Sequence, residues 1–292
     1  MQKVNVNMVK NRVFFGILMT VLFTGLVIFD GWLDGSLTKS VGDDKQVQGT
    51  IFCILIFLLA IPANLELSKL AAAKNLKIFV PITIISSILL AESRYWAQFI
   101  DFNPGNYFPI LLVFSFLTIF LTQYLYFGVS SVIVSCGANC FAILYLGLLS
   151  YFAVSIRLEF GLWPLLMYVF VVKCTDIGAY TAGTLFGKHK FSPKISPGKT
   201  WEGMAGGIAA AILVAIGFAV IFDIMVLPMA IVFGLCFAFI GQLGDLAESM
   251  MKRDAQQKDS ANIMPGFGGV LDIIDSPLMA APFAYLFFMW SS

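Results

Sequence analysis

The sequence predicts an all-α, polytopic integral membrane protein with about nine transmembrane helices and a cytoplasmic N-terminus. Three observations carry that expectation. Charged residues make up 12% of the 292-residue chain, about half the roughly 25% of an ordinary soluble domain. Apolar runs recur from end to end, with a mean hydropathy of +0.90, and none alternates with the period of two that barrel strands require. Lysine and arginine are also divided unequally among the segments that join the runs.

A helix crossing the ~30 Å hydrocarbon core needs about 20 apolar residues. The candidate spans are approximately 12–30, 48–65, 76–92, 106–127, 130–152, 160–182, 204–223, 225–244 and 276–291. The first follows a basic head, as a secretory leader would. Gly31, Trp32 and Leu33 come next rather than a small-x-small cleavage site, so it reads as a retained span. The second, third and ninth are short, and the ninth contains Pro282, so one of these three could be re-entrant. With nine spans, the N-terminal side collects the basic segments 1–12, 69–77, 188–199 and 252–258, whereas the opposite side has only Lys39, Lys45, Arg94 and Arg157. This bias puts the N-terminus and both long polar loops, 183–203 and 245–275, in the cytoplasm, and the C-terminus outside.

Residues 1–128 hold few polar groups within spans and residues 129–292 nearly all of them, which divides the chain into a transmembrane scaffold and a working transmembrane region. Cys53, Cys136, Cys140, Cys174 and Cys236 form no CxxC pair, and His189 is the single histidine. A Cys/His metal cluster is therefore excluded, and the cysteines read as small buried hydrophobes. The formal net charge of +1 identifies no partner, and no nucleic acid is expected.

Three polar constellations interrupt the apolar pattern. Lys173 and Asp176 lie within a span, three apart and so on one helical face. Ionisable groups there face a bundle interior or a wet cavity, so this is either a structural ion pair or a substrate-facing Asp176. The second is GKHKFSPKISPGKTWEG, residues 187–203, with four lysines. Its GKT lacks the glycine that a phosphate loop needs five residues before Gly198; Pro193 stands there. What remains is a basic loop suited to phosphates or to anionic lipid.

The third runs from Asp245 to Ser276. Glu248 and Lys252 are spaced for an i,i+4 pair, Gly266, Gly268 and Gly269 permit tight turns, and Ser276-Pro277 reads as the cap and first turn of the last span. Asp245, Asp272 and Asp275 would lie at the ends of two spans. Clustered carboxylates without histidine suit a hard cation such as Mg²⁺; alternatively they balance Lys252, Arg253 and Lys258. Together with the lysines and glycine turns they point to phosphoryl or nucleotidyl transfer.

SMMKRDAQQKDSANIMPGFGGVLDIID, residues 249–275, resembles the signature of the phosphatidate cytidylyltransferases (CDP-diacylglycerol synthases). Ser249, Lys252-Arg253, Lys258-Asp259, Pro265-Gly266, Gly268-Gly269, Asp272 and Asp275 match it in order and spacing. ISPGKTWEG and TDIGAY are similar to further family blocks, so the resemblance covers about residues 165–290. Phe267 and Ile273 depart from the pattern, standing where the family has His and Arg.

The resemblance implies transfer of the cytidylyl group of CTP to phosphatidate, giving CDP-diacylglycerol and pyrophosphate for phospholipid biosynthesis. It implies that Asp245, Asp272 and Asp275 hold Mg²⁺, with room for a second cation such as K⁺, and that they and Lys258 are catalytic. Asp176, Ser196, Lys199, Lys252, Arg253, Gly268 and Gly269 would bind substrate. A homodimer in the bacterial inner membrane is implied too, its active-site loops facing the cytoplasm. The alternatives are another CTP- or lipid-phosphate-using membrane enzyme, a relative inactivated by Phe267 and Ile273, and a transporter whose path is marked by Lys173, Asp176 and Asp245.

Overall fold

The structure, a computed structural model, describes residues 6–37, 45–100, 104–257, 260 and 268–291. The chain divides into two compact units, one of Met1–Val154 with Asp259–Ile273 and the other of Ser155–Lys258 with Ile274–Ser292.

The first unit contains α1 (Val6–Asp34), α2 (Thr50–Ala72), α3 (Val80–Ala91), the single turn α4 (Ser93–Trp96), α5 (Pro104–Phe127) and α6 (Val132–Ile143). A π-helical turn, Leu144–Leu148, carries α6 into α7 (Leu149–Glu159). In so apolar a chain the ends of helices are where polar side chains become necessary, because the first N–H groups have no partner within the helix. Gly49 caps α2 and has no side chain to offer. Asp30 and Asp34 of α1, both buried, supply the acceptors instead, taking the N–H groups of Ile51 at 2.7 Å and Gly49 at 2.9 Å. Asn139 of α6 does the same for α3: its Oδ1 accepts from Phe79 N–H at 2.6 Å while its Nδ2 donates to the carbonyls of Lys77 and Ser135. Phe79, Leu90, Ile119, Cys136 and Ile143 form a buried core in this unit. The π-turn reaches α3 through Gly147, where a Cβ would fall 2.8 Å from the Cα of Ser87.

The second unit contains α8 (Leu162–Phe186), strands β1 (Lys190–Ser192) and β2 (Ser196–Thr200), α9 (Trp201–Phe222), α10 (Leu227–Asp254) and most of α11 (Leu271–Ser291). Small residues bring α8 and α9 together. A Cβ on Gly178 would meet Ala210 Cβ and Gly206 O, both at 2.7 Å, and one on Gly203 would meet Ala179 O at 2.7 Å. Close approach of this kind replaces hydrophobic driving force where lipid surrounds the helices. Thr200 caps α9 by accepting from Gly203 N–H at 3.1 Å. The strands pair antiparallel, Lys190 opposite Thr200 and Ser192 opposite Ser196. Gly234 and Gly241 let α10 lie on Ile212 of α9 and Val172 of α8, and the Phe233 ring packs on Phe237, Phe287 and Phe288.

Among the described residues, eight helical segments are long and apolar enough to cross a membrane, Val132–Glu159 counting as one. The expected third span is the exception: α3 has 12 residues, about 18 Å of helix against a ~30 Å core. The basic loop is a two-stranded hairpin rather than irregular chain, and α11 starts at Leu271, not at Ser276-Pro277. Acceptors other than Ser276 meet its first N–H groups, as shown below. Cys236 is exposed on α10, where a weakly polar thiol suits lipid, while Cys53 and Cys136 are buried as expected.

Candidate active site

In the second unit α8, β2, α10 and α11 each contribute charge. Asp245 and Glu248 stand three apart on α10 and so share a face. Asp275 of α11 meets them because Gly244 lets the two helices close: a Cβ there would lie 2.9 Å from Ser276 Cα and 3.2 Å from Asp275 O. Carboxylate oxygens of Asp245, Glu248 and Asp275 lie within 4.8 Å of one another. Glu248 is fully buried and Asp275 is 3% exposed, whereas Asp245 is partly open. Two like charges at that separation repel by about 3 kcal/mol at an effective dielectric near 20.

Cations answer this repulsion from three sides. Lys199 of β2 puts its Nζ 2.6 Å from Asp245 Oδ2 and donates to the Gln242 carbonyl at 3.3 Å. Lys252 pairs with Glu248 at 2.5 Å, the i,i+4 contact expected from their spacing. Lys173 of α8 stands near enough to act as an opposite charge on both Asp176 and Asp275. The Gln242 amide, buried on α10, donates to Asp176 Oδ1 at 3.0 Å and ties α8 to the cluster. Among the described residues, four carboxylates and three ammonium groups thus gather in this unit, and the three converging carboxylates form a donor set of the hard kind that divalent cations take.

The hairpin is held to the same end. Arg253 Nε donates to the Ile195 carbonyl at 3.2 Å, beside Ser196, which is half-buried at the start of β2. At the base of the hairpin Glu202 accepts from the N–H groups of Lys188 and His189 and lies 2.6 Å from His189 Nδ1.

Asp272 belongs to the first unit and is engaged there. Its Oδ2 accepts from Ser260 Oγ at 2.8 Å, Ser260 N–H at 3.2 Å and Gly269 N–H at 2.7 Å. Glu66 of α2, 1% exposed, accepts from Val270 and Leu271 N–H, each at 2.8 Å, and from Ser260 Oγ at 2.9 Å. These acceptors start α11 five residues before Ser276. Gly268 has φ +90°, and the space a Cβ would take on it is filled by the Asp272 carboxylate. At Gly269 that space holds Glu66 Oε2 and Ser260 Oγ.

Of the three expected metal ligands, Asp245 and Asp275 are in the described acidic cluster, and its third member is Glu248. Lys258 and Phe267 lie outside the described residues, and Ile273 is half-buried in the first turn of α11. Sequence reasoning passed over Gln242 and Glu66 and gave Glu248 only its lysine partner. The signals were present: Glu248 is one helical turn from Asp245, and Glu66 is an acid amid an apolar run, a costly position.

Residues 45–291 match the model of the cytidylyltransferase family, a match that begins well before the region whose motifs carried the resemblance. The chain is 32% identical over 289 residues to the phosphatidate cytidylyltransferase of Bacillus subtilis, spanning 94% of this chain and 96% of that one. It is 33% identical over 238 residues to the enzyme of that name from Staphylococcus epidermidis, spanning 80% and 88%. With the one from Haemophilus influenzae identity rises to 45% over 137 residues, 42% of this chain and 46% of that one.

Proposed function

The chain belongs to the cytidylyltransferase family, and we propose that it transfers the cytidylyl group of CTP to phosphatidate, releasing pyrophosphate and forming CDP-diacylglycerol. It is a membrane-embedded nucleotidyltransferase. The observation that carries the proposal is the convergence of Asp245, Glu248 and Asp275 beside Lys199, a charge arrangement matched to a polyphosphate with its cation.

A phosphatidate oxygen attacks the α-phosphorus of CTP, and the bond from that phosphorus to the pyrophosphate oxygen breaks. The second ionisation of a phosphate monoester lies near pH 6, so the attacking oxygen is largely ionised at neutral pH. No base is then obligatory, which accommodates Phe267 where the family has histidine. The work left to the protein is alignment and neutralisation of anions. Lys199, Lys252, Arg253 and Lys258 attract the phosphates, and Asp176, Ser196, Gly268 and Gly269 are the further substrate-binding residues of this proposal. Asp245, Glu248 and Asp275 would hold Mg²⁺; a metal-binding part for Asp272 and a second cation such as K⁺ rest on the family resemblance. Bound Mg²⁺ supplies neutralisation of the phosphates and polarisation of the α-phosphoryl group.

Because α9 and α10 both have the length of a span, the hairpin before α9 and the residues that end α10 would lie at one membrane face however α3 lies. In this proposal that face is the cytoplasmic side of the bacterial inner membrane, where CTP is found. The lipid enters sideways between helices, residues 129–292 carry the chemistry on the scaffold of 1–128, and the working form is a homodimer. The test is pyrophosphate release by purified protein in detergent, with Mg²⁺ or EDTA, and with ATP or GTP replacing CTP. Release that requires CTP, phosphatidate and metal together is the expected result; none from folded protein under any of these conditions overturns the proposal in favour of an inactive relative or a different substrate.

A further inference from the structure

We propose that Glu66, in the first half of the chain, is a positioning residue for the reaction: through Ser260 and the turn at Gly268–Leu271 it sets where the Asp272 carboxylate stands. The inference rests on the cytidylyl-transfer proposal.

Glu66 lies inside an apolar span, Thr50–Ala72, and is almost fully buried. An ionisable group in that position is expensive and marks a functional region. Capping a helix does not demand it, since a neutral serine, threonine or asparagine does so from within the chain's own turn. Glu66 does more than cap. Its Oε1 accepts from Val270 N–H, and its Oε2 accepts from both Leu271 N–H and Ser260 Oγ. That serine hydroxyl, with one proton, also faces Asp272 Oδ2 at 2.8 Å. The two carboxylates thus share a donor, and a shift of one is felt by the other.

The paired glycines serve the same purpose. The carboxylates of Glu66 and Asp272 fill the space where side chains at 269 and 268 would stand. A side chain at either position would push a carboxylate off the turn. An invading Glu66 therefore explains the glycine at 269 as well as the start of α11.

Glu66→Gln is the informative substitution. Whichever way its amide is turned, the NH₂ faces a backbone N–H, of Val270 or of Leu271, and at least one hydrogen bond is lost. In the full-length protein in detergent, amide hydrogen exchange at Gly269–Leu271 should accelerate by about tenfold or more, and kcat should fall about 10–100-fold, as for residues that orient catalytic ligands. The KM for CTP should stay within about threefold, because Glu66 touches no substrate. A residue that only stabilises the fold would leave kcat of the folded fraction unchanged.

Unaltered exchange, or a wild-type kcat in the folded variant, overturns the proposal. Should Glu66→Gln fail to fold, Ser260→Ala replaces it. That change keeps both backbone hydrogen bonds but removes the shared hydroxyl. It should lower kcat about tenfold, and a wild-type kcat there overturns the proposal equally. Wild-type protein that releases no pyrophosphate removes the reaction, and the positioning role with it; active wild type beside an equally active Glu66→Gln removes the role of Glu66 alone.

Discussion

Lys199 sets its ammonium 2.6 Å from the Asp245 carboxylate, joining the hairpin between α8 and α9 to the polar end of α10. The Asp245 side chain is about a third open, at 34%, and that of Lys199 is 14% exposed. Partly exposed pairs contribute roughly 1 kcal/mol or less, so the pair is a poor stabiliser and a well-placed phosphate receptor. Lys199→Met should lower kcat/KM for CTP about a hundredfold while shifting thermal unfolding in detergent only slightly. A variant with wild-type kinetics would make Lys199 merely the counter-ion of Asp245.

Glu248 and Lys252 make the opposite case, since both are buried. Removing one partner of a buried pair strands the other charge, at about 3–5 kcal/mol. Glu248→Gln should therefore unfold at clearly lower temperature, and Glu248→Gln combined with Lys252→Met should recover most of the loss. Turnover should not recover in the double variant, which lacks both a proposed cation ligand and a proposed phosphate-binding lysine. Recovery of both stability and turnover would restrict Glu248 to a structural part.

Metal dependence follows from the donor set. EDTA should abolish turnover and added Mg²⁺ restore it, since all-oxygen carboxylate sites favour hard cations. Asp275→Asn should require higher Mg²⁺ for half-maximal rate, which a titration of activity against free Mg²⁺ measures. Equal Mg²⁺ requirements for the wild type and the variant would remove Asp275 from the metal site.

Asp272→Ala should reduce turnover by at least about a hundredfold while the protein remains folded in the membrane. It also leaves the backbone N–H groups of Gly269 and Ser260 without their acceptor, so a modest loss of stability accompanies it. Normal activity in this variant would sink the catalytic assignment of Asp272.

Packing of α8 on α9 gives a prediction independent of chemistry. Gly178→Val would drive methyl groups into Ala210 and the Gly206 carbonyl, which already stand 2.7 Å from where a Cβ would be. Overpacking of this kind costs about 1–3 kcal/mol, visible as a lowered unfolding temperature. An unchanged temperature would mean that the two helices part without penalty.

Much of the site could be read from the chain because its chemistry is local. The i,i+4 pairing of Glu248 with Lys252 needs only a helix. The Asp245–Glu248 face was equally available by spacing, but a carboxylate with a nearby lysine reads as balanced, and its role beside Asp275 depended on α11 being there. The third span shows the limit of hydropathy: residues 76–92 are apolar enough to cross, yet helix occupies only Val80–Ala91. Asn139 holds the residues before α3 in a non-helical path through Phe79 N–H and the Lys77 carbonyl. Nothing within 76–92 announces a partner so distant in sequence.

By itself the sequence determined the membrane class, most of the helices, the basic and acidic polar segments and the family resemblance, because hydropathy, residue spacing and motif order are properties of neighbouring residues. Tertiary structure decided which charges meet. Gly244 allows α11 to bring Asp275 to Asp245 and Glu248, Gln242 links α10 to Asp176, and Glu66 crosses from α2 to begin α11 at Leu271. Each is a contact between helices, set by close backbone approach and by buried polar groups that must find partners. Such contacts are made by the packing of distant segments, and no local pattern encodes them.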